Sequence, residues 1–241
     1  MKNKTLNSIL ITGALILSGF GIYMIIKRFK KPKISNIPNA EKYKKYGSNP
    51  IEVALELEPL AYGQYKWTST SGMPIDIYFK GDKPLFEKTK DGSTYCTGFT
   101  FTVFYICALN RGLLNNFTNA DIKKLQSTWN EGEPSQKPKL CVDAISKSVS
   151  ANLPPLGKEV SLESAQKGDF CQIWRANSGH SVILVEKITK ENKIVGFKYY
   201  SSNSGINQKT KRSGPGYGTE YFSDSGGKML RDKTYFARLN N

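Results

Sequence analysis

The spacing of apolar and polar positions changes character several times along the chain. Residues 5–26 carry no charge and are dense in Leu, Ile, Gly and Phe; as a helix they would reach about 33 Å, enough for a hydrocarbon core of roughly 30 Å. Residues 31–49 are polar and basic with two prolines, and read as a tether. Asn49-Pro50, followed by Ile51, Val53, Leu55 and Leu57, begins a short helix with proline in its first turn. Residues 62–92 are rich in Tyr, Gly, Lys and Asp, and predict loops with at most a short strand. From Cys96 the chain is almost wholly apolar until charge returns at Arg111. That run is too long for a typical strand and predicts a central buried helix.

Two more helices are expected, over residues 120–129, capped by Thr118 or Asn119, and over residues 139–149. A connector over 153–167 leads through Gly168-Asp169 into a strand at 170–174. His180 opens the next strand, a polar turn at 189–193 reverses the chain, and residues 194–201 return. A Gly- and Ser-rich loop is expected from 202 to 227, then a closing strand at 234–239. Helices first and an antiparallel sheet afterwards predict an α+β domain.

Charge refines the picture at the N-terminus. Lys2 and Lys4 precede the apolar run, and Lys27, Arg28, Lys30, Lys31 and Lys33 follow it. A cleaved signal peptide shares the basic start and apolar middle, but this run is long and lacks a clear small-x-small site. The expected organisation is a transmembrane anchor over residues 1–30, a linker over 31–49 and one domain over 50–241. The heavier basic flank behind the anchor leans the domain towards the cytoplasm. Beyond residue 34 the chain holds 28 bases against 20 acids, a net charge of +8 that favours an anionic neighbour. No zinc-finger spacing or basic-aromatic module points to nucleic acid, which is not an expected partner. Cysteines at 96, 107, 141 and 171 form no close pair, and the chain has one histidine, so neither a metal site nor a cofactor is expected.

Candidate chemistry centres on that histidine. A cysteine nucleophile needs a helix N-terminus or a basic group to favour the thiolate, a base within reach, and a group that orients the base. Cys96 heads the buried helix, with Ser93 and Thr94 as capping candidates and Gly98 permitting close backbone approach. The amides of that turn are candidates for an oxyanion hole. His180 stands at a strand mouth, with Ser181, Ile183 and Val185 on the opposite face by alternation. On the returning strand Phe197, Tyr199, Ser201 and Asn203 share one parity. Asn203 is the first candidate to orient the imidazole, with Ser201 and Ser202 as alternatives, because a one-residue slip swaps faces.

These residues carry a resemblance. Tyr95-Cys96-Thr97-Gly98-Phe99 at the head of an apolar helix resembles the nucleophile helix of NlpC-type cell-wall peptidases and CHAP amidases, cysteine hydrolases of the papain-like superfamily. Gly168-Asp169-Phe170, a strand, and Gly179-His180-Ser181-Val182-Ile183 are similar to their histidine block, and Asn203 lies where they place a third polar residue. Tyr62-Gly63-Gln64-Tyr65-Lys66-Trp67 is similar to a segment in which a tyrosine lines the pocket. The resemblance implies a papain-like fold and amide hydrolysis through a thioester on Cys96, with His180 as base and Asn203 as orienter. Tyr65, Tyr95, Ser201 and Ser202 would contact substrate. It further implies peptidoglycan as substrate, and a wall substrate would place the membrane-tethered domain outside the cytoplasm. An acyltransferase, a protein-directed peptidase and a catalytically silent binding module are the alternatives.

Overall fold

The computed structural model describes residues 37–68, 71–130 and 135–241. Four α-helices are present among them: α1 (Pro50–Leu57), α2 (Cys96–Asn110), α3 (Asn119–Asn130) and α4 (Cys141–Ser146). Six strands follow, β1 (Gly157–Val160), β2 (Phe170–Arg175), β3 (Ser178–Lys190), β4 (Lys193–Asn207), β5 (Arg212–Tyr221) and β6 (Thr234–Leu239). They form one open sheet in the order β1-β6-β2-β3-β4-β5, with every neighbouring pair antiparallel.

Each helix start has a local cause. The Asn49 side chain accepts from the N–H of Ile51 at 3.0 Å, leaving Pro50, which has no N–H, at the first position of α1. Ahead of α3, Thr118 and Asp121 cap reciprocally: Asp121 Oδ2 accepts from the Thr118 N–H at 2.8 Å, and Thr118 Oγ1 accepts from the Asp121 N–H at 3.2 Å. Helix α2 is buried from Cys96 to Leu109 and packs against β3 and β4. Its threonines are accommodated by donating back along the helix, Thr100 to the Cys96 carbonyl at 2.7 Å and Thr102 to that of Gly98 at 2.9 Å. Phe101 and Phe104 of α2, Trp129 of α3 and Phe170 of β2 meet in an aromatic cluster between helices and sheet. A second apolar cluster, around Ile173, Val182, Leu184, Phe197 and Phe236, covers the other sheet face.

The expected transmembrane helix over residues 5–26 lies outside the described residues, and the fold assignment is corrected accordingly. Among the described residues no helix is long and apolar enough to cross a membrane. The longest, α2, has 15 residues. It reaches only about 22 Å against a hydrocarbon core of roughly 30 Å, and it is the centre of the domain. The observed fold is a mixed α+β domain with an open six-stranded antiparallel sheet and short helices. The expected single-pass, extracytoplasmic location is set aside together with the helix.

Other elements differ from expectation for packing reasons. Residues within the expected tether belong to the body: a 3-10 helix at Ala40–Tyr46 buries Tyr43 and Tyr46, and the Tyr43 ring meets Tyr105 edge-on at 5.5 Å. The connector contains the edge strand β1. Most of the expected Gly/Ser loop is sheet, because β4 runs on to Asn207 and β5 returns beside it. Glycine leaves room there for side chains of the neighbouring strand: a Cβ on Gly216 would fall 2.3 Å from the Asn207 side-chain amide, and one on Gly218 would fall 2.4 Å from the Tyr199 ring. The turn between β3 and β4 is a two-residue one, with Glu191 and Asn192 both at positive φ (51° and 62°), as a tight hairpin demands.

Candidate active site

Cys96 is the first residue of α2, and its surroundings are mostly main chain. Tyr95 precedes it in an extended conformation and no side chain caps the helix. Neither expected cap serves the helix: Ser93 Oγ is buried without a hydrogen-bond partner among the described residues, and the Thr94 hydroxyl is bonded to that of Ser202 at 2.8 Å. The N–H groups of Cys96, Thr97 and Ser181 and the Tyr65 hydroxyl all act to favour the Cys96 thiolate. Burial still pushes the thiol up from its ordinary value, against these four donors. Gly98 lets the helix end approach the loop before it, since a Cβ there would fall 2.3 Å from the Ser71 carbonyl oxygen.

Tyr65 reaches the site through an upstream segment laid beside the residues before α2. The Lys66 N–H donates to the Thr94 carbonyl at 3.0 Å, and the Thr94 N–H to that of Gln64 at 3.3 Å. The Tyr65 N–H is held by Ser213 Oγ at 3.0 Å. Burial raises the Tyr65 phenol well above its ordinary range, so it stays a neutral donor.

His180 and Asn203 are brought together by strand register. Strand β3 pairs Ile183 with Tyr200 of β4, and continuing that antiparallel register three residues sets His180 across from Asn203. His180 Nε2 lies 3.0 Å from Asn203 Oδ1. The amide orientation is fixed independently, because Asn203 Nδ2 donates to the carbonyls of Ser201 (2.9 Å) and Gly216 (3.0 Å). Oδ1 must then accept, Nε2 must carry the proton, and Nδ1 is left as the basic nitrogen. Burial holds the His180 pKa down at about 4, partly offset by the Asn203 bond and helped by the Arg175 charge. The ring is supported edge-on by Tyr199, with centroids 5.5 Å apart.

Two cavities meet at His180. One, of about 430 Å³, is lined by Cys96 together with Tyr65, Trp67, Gln172, Trp174 and His180. The other, of about 370 Å³, lies towards β4 and β5 and is lined by Arg175, Tyr199, Asn203 and Tyr217 among others. Tyr65, Ser178, Gly179 and His180 border both. Among the described residues, Arg175 is the single ionic side chain lining the two cavities, and it is already paired with Glu220, with Nη2 at 2.8 Å from Oε2.

The structure thus gathers Cys96, His180, Asn203 and Tyr65. Tyr95 is buried beneath Trp67, with ring centroids 5.4 Å apart, and borders neither cavity. Ser201 and Ser202 are fully buried; Ser201 Oγ donates to the Ser181 carbonyl at 2.7 Å, and Ser202 ties β4 to Thr94. In the Gly-Asp turn, Asp169 is also buried and holds Arg238 through two contacts of 2.8 Å, a structural role. Sequence reasoning passed over Trp174, Gln172, Asn130 and Leu140 as cavity residues. They come from three separate elements, and no spacing in the chain relates them. All four cysteines are buried free thiols, and no cluster of His, Cys, Asp or Glu suited to a metal occurs among the described residues.

No protein-family model, curated protein or solved structure matches the chain. The expected peptidoglycan partner and membrane attachment are corrected on these findings. No relative carries a wall substrate to this chain, and no membrane-crossing helix is found among the described residues. The positive net charge does not reach the cleft either, because its one cation is neutralised by Glu220.

Proposed function

We propose that the domain is a cysteine hydrolase acting on amide bonds, with Cys96 as nucleophile, His180 as general base and acid, and Asn203 as the residue that orients the imidazole. The observation that carries this reading is the doubly anchored Asn203 amide, which forces the Nε2–H tautomer on the chain's one histidine beside the cavity that Cys96 floors. The likeness of the Cys96 and His180 segments to NlpC-type and CHAP hydrolases supports the same roles.

His180 Nδ1 takes the thiol proton as the sulfur attacks the carbonyl carbon. The N–H of Cys96, free of a helix cap, donates to the developing oxyanion. The imidazolium then protonates the departing amine, leaving an acyl thioester on Cys96. Water gives its proton to Nδ1 and attacks the thioester, releasing the acid and restoring the thiol. Both groups rest neutral, since burial disfavours the thiolate as well as the imidazolium.

Alkylation by iodoacetamide, mapped by mass to Cys96, tests the pair without knowledge of the substrate. Rapid labelling is expected, and His180→Gln should slow it by about 100-fold or more. Labelling at the rate of an ordinary thiol, indifferent to His180→Gln, would remove the hydrolase reading and leave a binding cleft without chemistry.

A further inference from the structure

The two cavities flanking His180 differ in chemistry, and the one on the Cys96 side is selective. Among the described residues no Asp, Glu, Lys or Arg lines it, while Trp67, Trp174, Tyr65 and Leu140 do. Trp174 is held in place: its indole N–H donates to the Pro138 carbonyl at 2.6 Å, and its ring lies against Gly179, where a Cβ would fall 2.6 Å from it. Trp67 is 60% exposed at the cavity mouth, held edge-on by Tyr95. A large aromatic side chain left in water beside a nucleophile gains by being covered with apolar ligand surface. A charged group entering here would lose its water and meet no counter-ion.

One polar atom adds direction. Asn130 lines this cavity, and its Oδ1 is buried with no hydrogen-bond partner among the described residues. A buried acceptor of this kind is normally satisfied, and an N–H on an incoming ligand would satisfy it. The cavity, about 430 Å³, has room for an aromatic group and an adjoining amide.

Resting on the reading of Cys96 as nucleophile, we propose that this cavity receives the acyl portion of the substrate, and that the acyl portion is uncharged, carries an aromatic or large apolar group, and offers an N–H to Asn130. A peptide segment with an aromatic residue on the acyl side has this chemistry. The departing amine would then occupy the polar cavity beside Arg175 and Tyr217.

Three chloroacetamides with the same reacting carbon test the proposal on the full chain: N-(naphthylmethyl), N-methyl and N-carboxymethyl. In each case sulfur displaces chloride to form a thioether, the thiol proton passing to His180. Labelling of Cys96 by the naphthylmethyl probe is expected to be about tenfold faster than by the N-methyl probe, and the anionic probe should be slowest. Trp67→Ala, at an exposed position, should shrink the naphthylmethyl advantage over the N-methyl probe to about threefold or less. Asn130→Ala should lower the naphthylmethyl and N-methyl rates by a similar factor, since both probes carry the amide N–H. Equal rates for the three probes, or an unchanged advantage in Trp67→Ala, would overturn the proposal. If N-methyl labelling slows in His180→Gln and no aromatic preference exists, only this inference falls. If N-methyl labelling ignores His180, the hydrolase reading falls instead.

Discussion

The Cys96 end and the His180 end of the proposed site are built from different material. Around Cys96 the polar groups are chiefly backbone, namely the N–H groups of Cys96, Thr97 and Ser181, with one side chain, Tyr65, added. Around His180 they are side chains: Asn203, the Tyr199 ring and the Arg175–Glu220 pair. Burial acts on both ends alike, raising the thiol and lowering the imidazole to about 4, so both groups rest uncharged. The consequence is an asymmetry of repair. Main-chain donors persist through almost any substitution, whereas the orientation of His180 hangs on one amide.

The largest effect expected from this comparison is on acid stability. The folded pKa of His180, about 4, lies below the ordinary 6.5, so the unfolded chain takes up a proton in that interval which the folded chain refuses. The histidine's contribution is complete above pH 6.5 and declines as pH falls towards 4, by about 3 kcal/mol at most. Urea midpoints at pH 7 and pH 4.5 should separate for the parent chain and separate less for His180→Gln. An identical separation in both chains would place the acid sensitivity elsewhere.

Next comes Asn203→Ala, which should reduce the Cys96 alkylation rate by roughly 30-fold because the ring loses its tautomer and orientation. Asn203→Asp sharpens the point. A carboxylate still accepts from Nε2 but favours the imidazolium, so activity should return in part while its acid limb moves to higher pH. An Asn203→Ala chain labelled at the parent rate would mean the amide merely ties β4 to β5.

At the nucleophile end, Gly98→Ala places a methyl 2.3 Å from the backbone oxygen of Ser71. It should cost about 2 kcal/mol in a denaturation midpoint, since the main chain must shift. The smallest effect is reserved for Ser202→Ala. It leaves the Thr94 hydroxyl, bonded at 2.8 Å in the parent, without its partner, at a cost of about 1 kcal/mol and with Cys96 alkylation unchanged.

Which parts were legible in the chain follows from what each pattern depends on. Helix α2 announced itself because a run that is apolar all round has few alternatives to a buried helix. The closing strand, residues 234–239, coincides with β6 for a similar reason, its apolar and aromatic residues being bounded by polar turns. The glycines of β5 read as loop because their function is to leave room for Asn207 and Tyr199, which lie on the neighbouring strand. Tyr43 and Tyr46 read as part of a tether because the lysines around them dominate the local composition. Their rings are nevertheless core, since Tyr43 finds partners for its hydroxyl, donating to the Asp76 carbonyl at 3.0 Å and accepting from the Tyr78 N–H at 2.6 Å. The two tryptophans and Asn130 of the acyl-side cavity are far apart in the chain and became neighbours only through packing.

The sequence by itself determined that a cysteine would head a buried helix and that a lone histidine would stand near the end of a sheet strand. Both follow from local periodicity, which is a property of consecutive residues. It also made Asn203 a candidate through strand parity, while leaving Ser201 and Ser202 as alternatives. Only the tertiary structure sets Asn203, and not Ser201 or Ser202, against His180, because register depends on how β3 and β4 pair, and the Asn203 amide is oriented by a carbonyl from a third strand. The missing helix cap at Cys96, the aromatic wall beside it and the neutral resting state of both groups are likewise consequences of packing. They depend on which residues exclude water from the site, and those residues lie far apart along the chain.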